Sequence, residues 1–91
     1  MKPFVLVRWN DAQDHPDKWV DAADAEAFNN IECEIISGGF LISQTDKYVT
    51  IGADYDAVDD DYGRVTKIPQ PMIKTIIELQ IEGEIKDEPQ P

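Results

Sequence analysis

The sequence predicts an all-β fold with one short helix, in which five strands form a strongly bent small barrel. Three observations support this prediction. Segments rich in β-branched and aromatic residues alternate between apolar and polar side chains. A glycine pair, Gly38 and Gly39, interrupts the longest of these segments. One alanine-rich stretch is too short for more than about two helical turns.

Length and charge limit the classes of protein to consider. A chain of 91 residues has room for one small core, and its stability should be marginal unless association buries more surface. Eight basic against 19 acidic residues give a net charge of −11, which argues against a broad basic surface for nucleic acid. The net charge does not exclude a small local basic site.

Cysteine content and hydropathy indicate a soluble, cytoplasmic protein. A single cysteine, Cys33, can form neither an internal disulfide nor a cysteine-based zinc site. We see neither a signal peptide nor an apolar run of 18 residues, so we expect no membrane partner.

The first third of the chain predicts a strand, a loop and a short helix. The side chains of residues 3–9 fall on two alternating faces, as in a strand, and residues 10–16 are acidic and turn-forming. Trp19 and Val20 should anchor the following loop on the core. Asp21 and Asp24 are good N-cap residues for a helix over 22–28, which Asn29 and Asn30 end.

Residues 31–45 predict one long strand bent at Ser37, Gly38 and Gly39. In its first half apolar and polar side chains alternate, whereas the residues from Phe40 to Ile42 are apolar on both faces of the strand. A long strand bent at a glycine pair can belong to two sheets at once, which is how a small barrel turns a corner. A hairpin that turns at the same three residues is the alternative.

The remaining chain predicts three more strands. A turn at residues 45–47 precedes a strand over 48–53, and an acidic loop over 53–63 separates that strand from another over 64–68. Two prolines then form a turn. Residues 72–81 also fit a helix, but their isoleucines favour a strand. We predict one domain over 1–81 and a disordered tail over 82–91.

The spacing of these elements resembles that of Sm-like and SH3-like small barrels. GGFLISQTDKYVTI, residues 38–51, resembles the first Sm motif, and VTKIPQPMIKTI, residues 65–76, is similar to the bacterial type of the second. The whole chain looks closest to Sm-like proteins encoded by phages. The gap from Gly39 to Asp46 is one residue longer than in the bacterial pattern, so a bulge would be needed.

The resemblance implies a homo-oligomeric ring, for which we expect five to seven subunits. Sm-like rings pair the fourth strand of one subunit with the fifth of the next. The residues point the same way, because the edges of an open sheet need to be covered. The predicted interface consists of Val65, Ile68, Ile73, Ile76 and Ile77.

The resemblance also implies a candidate RNA-binding site, which consists of Asp46, Lys47, Tyr48, Lys67 and Gln70. Tyr48 would stack on a base, and Lys47 would contact a phosphate. In the purely structural alternative, Asp46 caps a turn, Lys47 is solvated and Tyr48 covers the barrel end. The Lys-His pair by which the bacterial relatives hold uridines is absent from the sequence.

Other candidate groups favour structural roles. The aspartates of residues 54–61 do not fit the EF-hand pattern, so a solvated loop is favoured over a calcium site. His15 reads as an exposed loop residue, Cys33 as a core residue, and Trp9 and Trp19 as anchors. No catalytic set or phosphate loop is present in the sequence, so we expect no enzyme and no cofactor.

Three functional hypotheses follow. The first is a non-enzymatic Sm-like ring with RNA as its ligand. The second is an acidic interaction or structural module that binds a basic protein, and the third is a nucleic-acid mimic.

Overall fold

The computed structural model describes residues 1–80, and the predicted tail and Ile81 lie outside this range. Within it the chain forms five strands and two short helical segments. The strands are β1 (Phe4–Asn10), β2 (Glu34–Gln44), β3 (Tyr48–Asp56), β4 (Asp61–Pro69) and β5 (Ile73–Leu79). The helix α1 spans Ala22–Phe28, and a 3₁₀ turn spans Gln70–Met72.

All five strands belong to one antiparallel sheet with the order β4-β3-β2-β1-β5. The all-β prediction with one short helix is confirmed. The sheet does not close on itself: β4 and β5 are its two edges and do not pair with each other.

The long second strand exchanges partners at its bend. Its first part pairs with β1 from Glu34 to Phe40, and its second part pairs with β3 from Phe40 onward. Gly39 lies at the exchange, where an added Cβ would stand 2.9 Å from the backbone oxygen of Gly52. The strand continues through Gly38 and Gly39, so the hairpin alternative is wrong. Glycine is needed because the backbones of β2 and β3 approach too closely for a side chain.

A bulge follows the bend. The pairing register of β2 with β3 shifts between Leu41 and Ser43, which leaves Ile42 as the extra residue. The bulge lies between Gly39 and Asp46, the stretch in which the spacing predicted one.

The core lies on one face of the sheet and is small. Apart from Gly39 and Gly52, the buried residues of the described chain are five apolar side chains from three strands: Val5, Val7, Val49, Ile51 and Ile68. Trp9 packs partly buried against them and donates its indole N–H to the Ser37 hydroxyl at 3.0 Å. Trp9 therefore fits its predicted role as an anchor.

The β3–β4 hairpin is longer than predicted. Residues 53–56 and 61–63, which we expected in an acidic loop, continue the two strands, and only residues 57–60 form the turn. Tyr55 and Tyr62 face each other across the strands, with ring centroids 5.0 Å apart. Their contact extends the pairing beyond the point where the alternation of apolar residues ends.

Residues 11–33, which we call the arm, connect β1 to β2 and contain no buried residue. The predicted helix is confirmed: Asp21 caps it by accepting the Asp24 N–H at 2.8 Å, and Asn29 is its C-cap. The predicted anchor is wrong, because the Trp19 side chain is 88% exposed. Nothing in residues 1–80 covers it.

Two other expectations for the arm need correction. His15 is half-buried rather than exposed, because its ring packs edge-on against Phe28 at 4.9 Å. Cys33 is also only half-buried and is not a member of the core cluster. It lies just before β2 begins.

The final segment is a strand, as its isoleucines predicted. Ile73 and Ile76 face the core, while β5 pairs with β1 along its length. Among residues 1–80, no helix has the length and hydropathy that a membrane crossing requires.

Candidate functional site

The turn between β2 and β3 is organised by Thr45. The Thr45 hydroxyl accepts hydrogen bonds from the backbone N–H groups of Lys47 and Tyr48 at 3.2 and 3.1 Å. The Thr45 backbone N–H donates to the Tyr48 carbonyl at 2.9 Å. The prediction that Asp46 caps this turn is therefore wrong. The threonine hydroxyl does so, which leaves the Asp46 side chain exposed.

Gln70 joins the far end of β4 to this turn. Its backbone N–H donates to the Lys47 carbonyl, and its side-chain amide donates to the Thr45 carbonyl, both at 2.9 Å. These two bonds join Gln70 to residues 23 and 25 positions earlier in the chain. The proline turn places Gln70 here because it follows directly on Pro69, which pairs with Tyr48.

Tyr48 and Lys67 also touch. The Lys67 ammonium lies 4.3 Å from the centroid of the Tyr48 ring, a cation–π contact. The ring remains 39% exposed. The fold thus gathers all five predicted residues at one end of the sheet, and we call Asp46, Lys47, Tyr48, Lys67 and Gln70 the turn cluster.

The turn cluster contains two of the four lysines that form no salt bridge within residues 1–80, and the other two are Lys2 and Lys18. Arg8, Arg64 and Lys74 are each paired with a carboxylate, at 2.6, 2.7 and 2.7 Å. Lys47 and Lys67 have no carboxylate within 4.0 Å among residues 1–80. With Asp46 as its one acidic group, the turn cluster carries a net positive charge in a strongly acidic chain.

The five predicted interface residues divide between the core and the surface. Ile68 is buried in the core, and Ile73 and Ile76 pack against it, so these three side chains stabilise the subunit itself. Val65 on β4 and Ile77 on β5 are exposed, and they lie on the two edges of the sheet. The prediction that β4 and β5 form the two edges of the sheet is confirmed. The pattern of apolar and polar residues along these two strands did not distinguish the side chains that face the core from those that face outward.

The acidic hairpin shows hydrogen bonding rather than metal geometry. The Tyr55 hydroxyl donates to the Asp60 carboxylate at 2.7 Å, which raises the pKa of Tyr55 to about 12. The Arg64 guanidinium makes two bonds to Asp54 and lowers the pKa of that carboxyl. No group of three potential metal ligands occurs in residues 1–80.

Sequence reasoning missed a groove at the end of the sheet where β1 begins and β5 ends. Its cavity volume is about 380 Å³, and its apolar lining consists of Met1, Pro3, Phe4, Phe40 and Leu79. Phe4 and Phe40 pack edge to face at 5.2 Å. The sequence carries no signal for this groove because it depends on the register that places Phe4 between Phe40 and Leu79.

No family model, no curated protein and no solved structure matches this chain. The resemblance to Sm-like proteins therefore rests on the two motifs and on the spacing of the predicted strands.

Proposed function

We propose that this chain is a non-enzymatic, Sm-like subunit of a homo-oligomeric ring of five to seven copies that binds single-stranded RNA at the turn cluster. In this proposal the edge strand β4 of one subunit pairs with β5 of the next. Each subunit then offers one turn cluster, so that a strand of RNA meets repeated, equivalent sites.

The open sheet is the observation that most directly supports assembly of several copies. β4 and β5 lie at opposite ends of the strand order, and within residues 1–80 each has one row of backbone donors and acceptors that pairs with no other strand. Because the two edges are different surfaces, contact between them is head-to-tail, and such contacts generate rings when the rotation closes.

The size of the core supports assembly independently. Five buried apolar side chains among residues 1–80 make a small core, and Val65 is 53% exposed on the β4 edge. Small domains with so little buried surface commonly gain stability from association. Edge pairing would remove exposed apolar surface as well as unpaired backbone groups.

The turn cluster supports RNA as the ligand. Tyr48 offers an aromatic ring for base stacking, and the Lys67 ammonium lies over that ring. Lys47 precedes Tyr48 in the chain, and neither lysine has a carboxylate within 4.0 Å among residues 1–80. Single-stranded RNA is the form whose bases are free to stack on such a ring. The negative field of the whole chain opposes binding, so we expect it to require low to moderate salt.

Light scattering coupled to size-exclusion chromatography tests the assembly. We expect a mass five to seven times that of the 10.3 kDa subunit. Val65→Lys should raise the concentration of half-dissociation at least about tenfold, because lysine on an edge strand disfavours pairing. Val58→Lys is the matched control, since Val58 is equally a surface valine but lies in a turn. A wild-type monomer at micromolar concentration would refute the ring.

Filter binding of oligo-U and oligo-A tests the RNA site. Tyr48→Ala should weaken binding by about 1–3 kcal/mol per stacked base while the oligomer keeps its size, and Tyr48→Phe should restore it. Lys47→Ala should reduce the salt dependence of binding by roughly 0.7 in the log–log slope, whereas Lys18→Ala in the arm should not. If the oligomer binds neither RNA at about 50 mM salt, a basic protein becomes the favoured partner.

A further inference from the structure

Gln70 is the least exposed member of the turn cluster. The other four members are exposed, whereas Gln70 is half-buried. Its side-chain amide donates to the Thr45 carbonyl and its backbone N–H donates to the Lys47 carbonyl, both at 2.9 Å. Both nitrogens of Gln70 therefore bond to the turn between β2 and β3.

The backbone of Lys47 is held from two sides. Its N–H donates to the Thr45 hydroxyl at 3.2 Å, and its carbonyl accepts the Gln70 N–H. The Gln70 amide holds Thr45 as well, through the Thr45 carbonyl. Because residues 45–47 are exposed, these bonds, rather than packing in the core, decide the direction in which the Lys47 side chain leaves the turn.

Tyr48 and Lys67 depend less on the Gln70 side chain. Both lie in the ladder between β3 and β4, where each is paired with a residue of the opposite strand. The Lys67 ammonium also lies over the Tyr48 ring. Loss of the Gln70 amide should therefore displace Lys47 and leave the other two side chains where they are.

We propose that Gln70 is a positioning residue of the RNA site and does not itself contact the RNA. Its amide holds the Thr45 carbonyl and so fixes the turn from which Lys47 meets a phosphate. A site already held in its binding geometry loses less conformational freedom when the ligand binds. This inference rests on the RNA site proposed above, and it changes the role that the sequence predicted for Gln70.

The salt dependence of oligo-U binding distinguishes positioning from contact. Glutamine is uncharged, so its removal changes the slope only if it displaces a cation from a phosphate. Gln70→Met, which keeps the length of the side chain but has no side-chain N–H, should reduce the log–log slope by roughly 0.7, as Lys47→Ala does. Gln13→Met is the matched control and should bind as the wild type does, because the Gln13 amide also donates to a backbone carbonyl, that of Ile31 in the arm at 3.0 Å.

A double variant tests whether Gln70 acts through Lys47. Gln70→Met combined with Lys47→Ala should bind within about twofold of Lys47→Ala alone, because the two changes remove the same contact. Gln70→Met combined with Lys67→Ala should instead weaken binding by the product of the two single losses, because those changes act on different contacts. Losses of Gln70→Met and Lys47→Ala that multiply would overturn the proposal.

Hydrogen exchange of the RNA-free protein tests the turn itself. In Gln70→Met the amides of Lys47 and Tyr48 should exchange at least about fivefold faster, while those of β1 keep their wild-type rates. Unchanged exchange at Lys47 would show that the Gln70 amide does not hold the turn, and the positioning role would be wrong.

The outcomes separate this role from the RNA site on which it rests. Weaker binding by Gln70→Met with an unchanged salt slope would show that Gln70 contacts the RNA, and wild-type binding would show that it has no part in the site. Either result overturns the positioning role alone. A wild-type oligomer that retains neither oligo-U nor oligo-A at about 50 mM salt would overturn the proposed RNA site, and this role with it.

Discussion

The sheet and the arm are stabilised by different kinds of contact. The sheet joins residues distant in the chain, and its five core residues come from β1, β3 and β4. The outer part of the arm also contains contacts between near neighbours, such as the Asp21 cap on α1 and the bond from the Asp17 N–H to His15. Local capping signals therefore decide where this helix begins, but only a repeated apolar face gives a segment a place in the core.

The base of the arm shows where the two regions meet. The Asp11 N–H donates to the Cys33 carbonyl at 2.9 Å, and the Gln13 side chain donates to the Ile31 carbonyl at 3.0 Å. Lys74 of β5 pairs with Glu32 at 2.7 Å. These bonds close the base of the arm on the sheet, whereas Trp19 and Val20 in its outer part are exposed.

Truncation of the core should produce the largest effect. Ile68→Ala leaves a cavity among the buried residues and should lower the free energy of unfolding by about 2–5 kcal/mol. Phe28→Ala, which removes the ring contact with His15 in the arm, should cost under about 1 kcal/mol. Urea unfolding at one fixed protein concentration measures both. Equal losses would mean that the arm contributes to stability as the sheet does.

A substitution at the bend in β2 should lower the stability by an intermediate amount. Gly39→Ala places a methyl group against the backbone of β3 and should cost about 1–3 kcal/mol. Gly63→Ala is the matched control, because there the nearest atom, the Asp54 Cβ, is 3.6 Å away, an ordinary contact distance. Thermal unfolding followed by circular dichroism compares them. If Gly39→Ala is as stable as Gly63→Ala, β2 and β3 lie farther apart than described.

Removal of the hydrogen bond between Tyr55 and Asp60 should have the smallest effect on stability. The raised pKa of its phenol means that folding favours the protonated form, so this contribution to stability is complete below about pH 10 and is lost as the pH rises toward about 12. Tyr55→Phe should remove one phenol that ionises near pH 12, as measured by ultraviolet absorbance of the folded protein. Loss of a phenol that ionises near pH 10 instead would show that the bond to Asp60 does not form in solution.

Much of the turn cluster could be predicted from the sequence because its motifs are local. Asp46, Lys47 and Tyr48 are consecutive, and Lys67 and Gln70 flank the proline turn. Their convergence required only that β3 and β4 form a hairpin. The role of Thr45 as the cap could not be predicted, since both a threonine and an aspartate can accept hydrogen bonds in such a turn.

The amino-acid sequence by itself determined the strands, the helix with its Asp21 cap and the bend at Gly38 and Gly39, because these depend on alternation, capping and side-chain size over a few residues. Only the tertiary structure decided that Ile68 is buried while Val65 is exposed, that Trp19 finds no place on the core, and that Phe4, Phe40 and Leu79 line one groove. The physical reason is that these outcomes depend on pairing register between strands far apart in the chain, which no local pattern encodes.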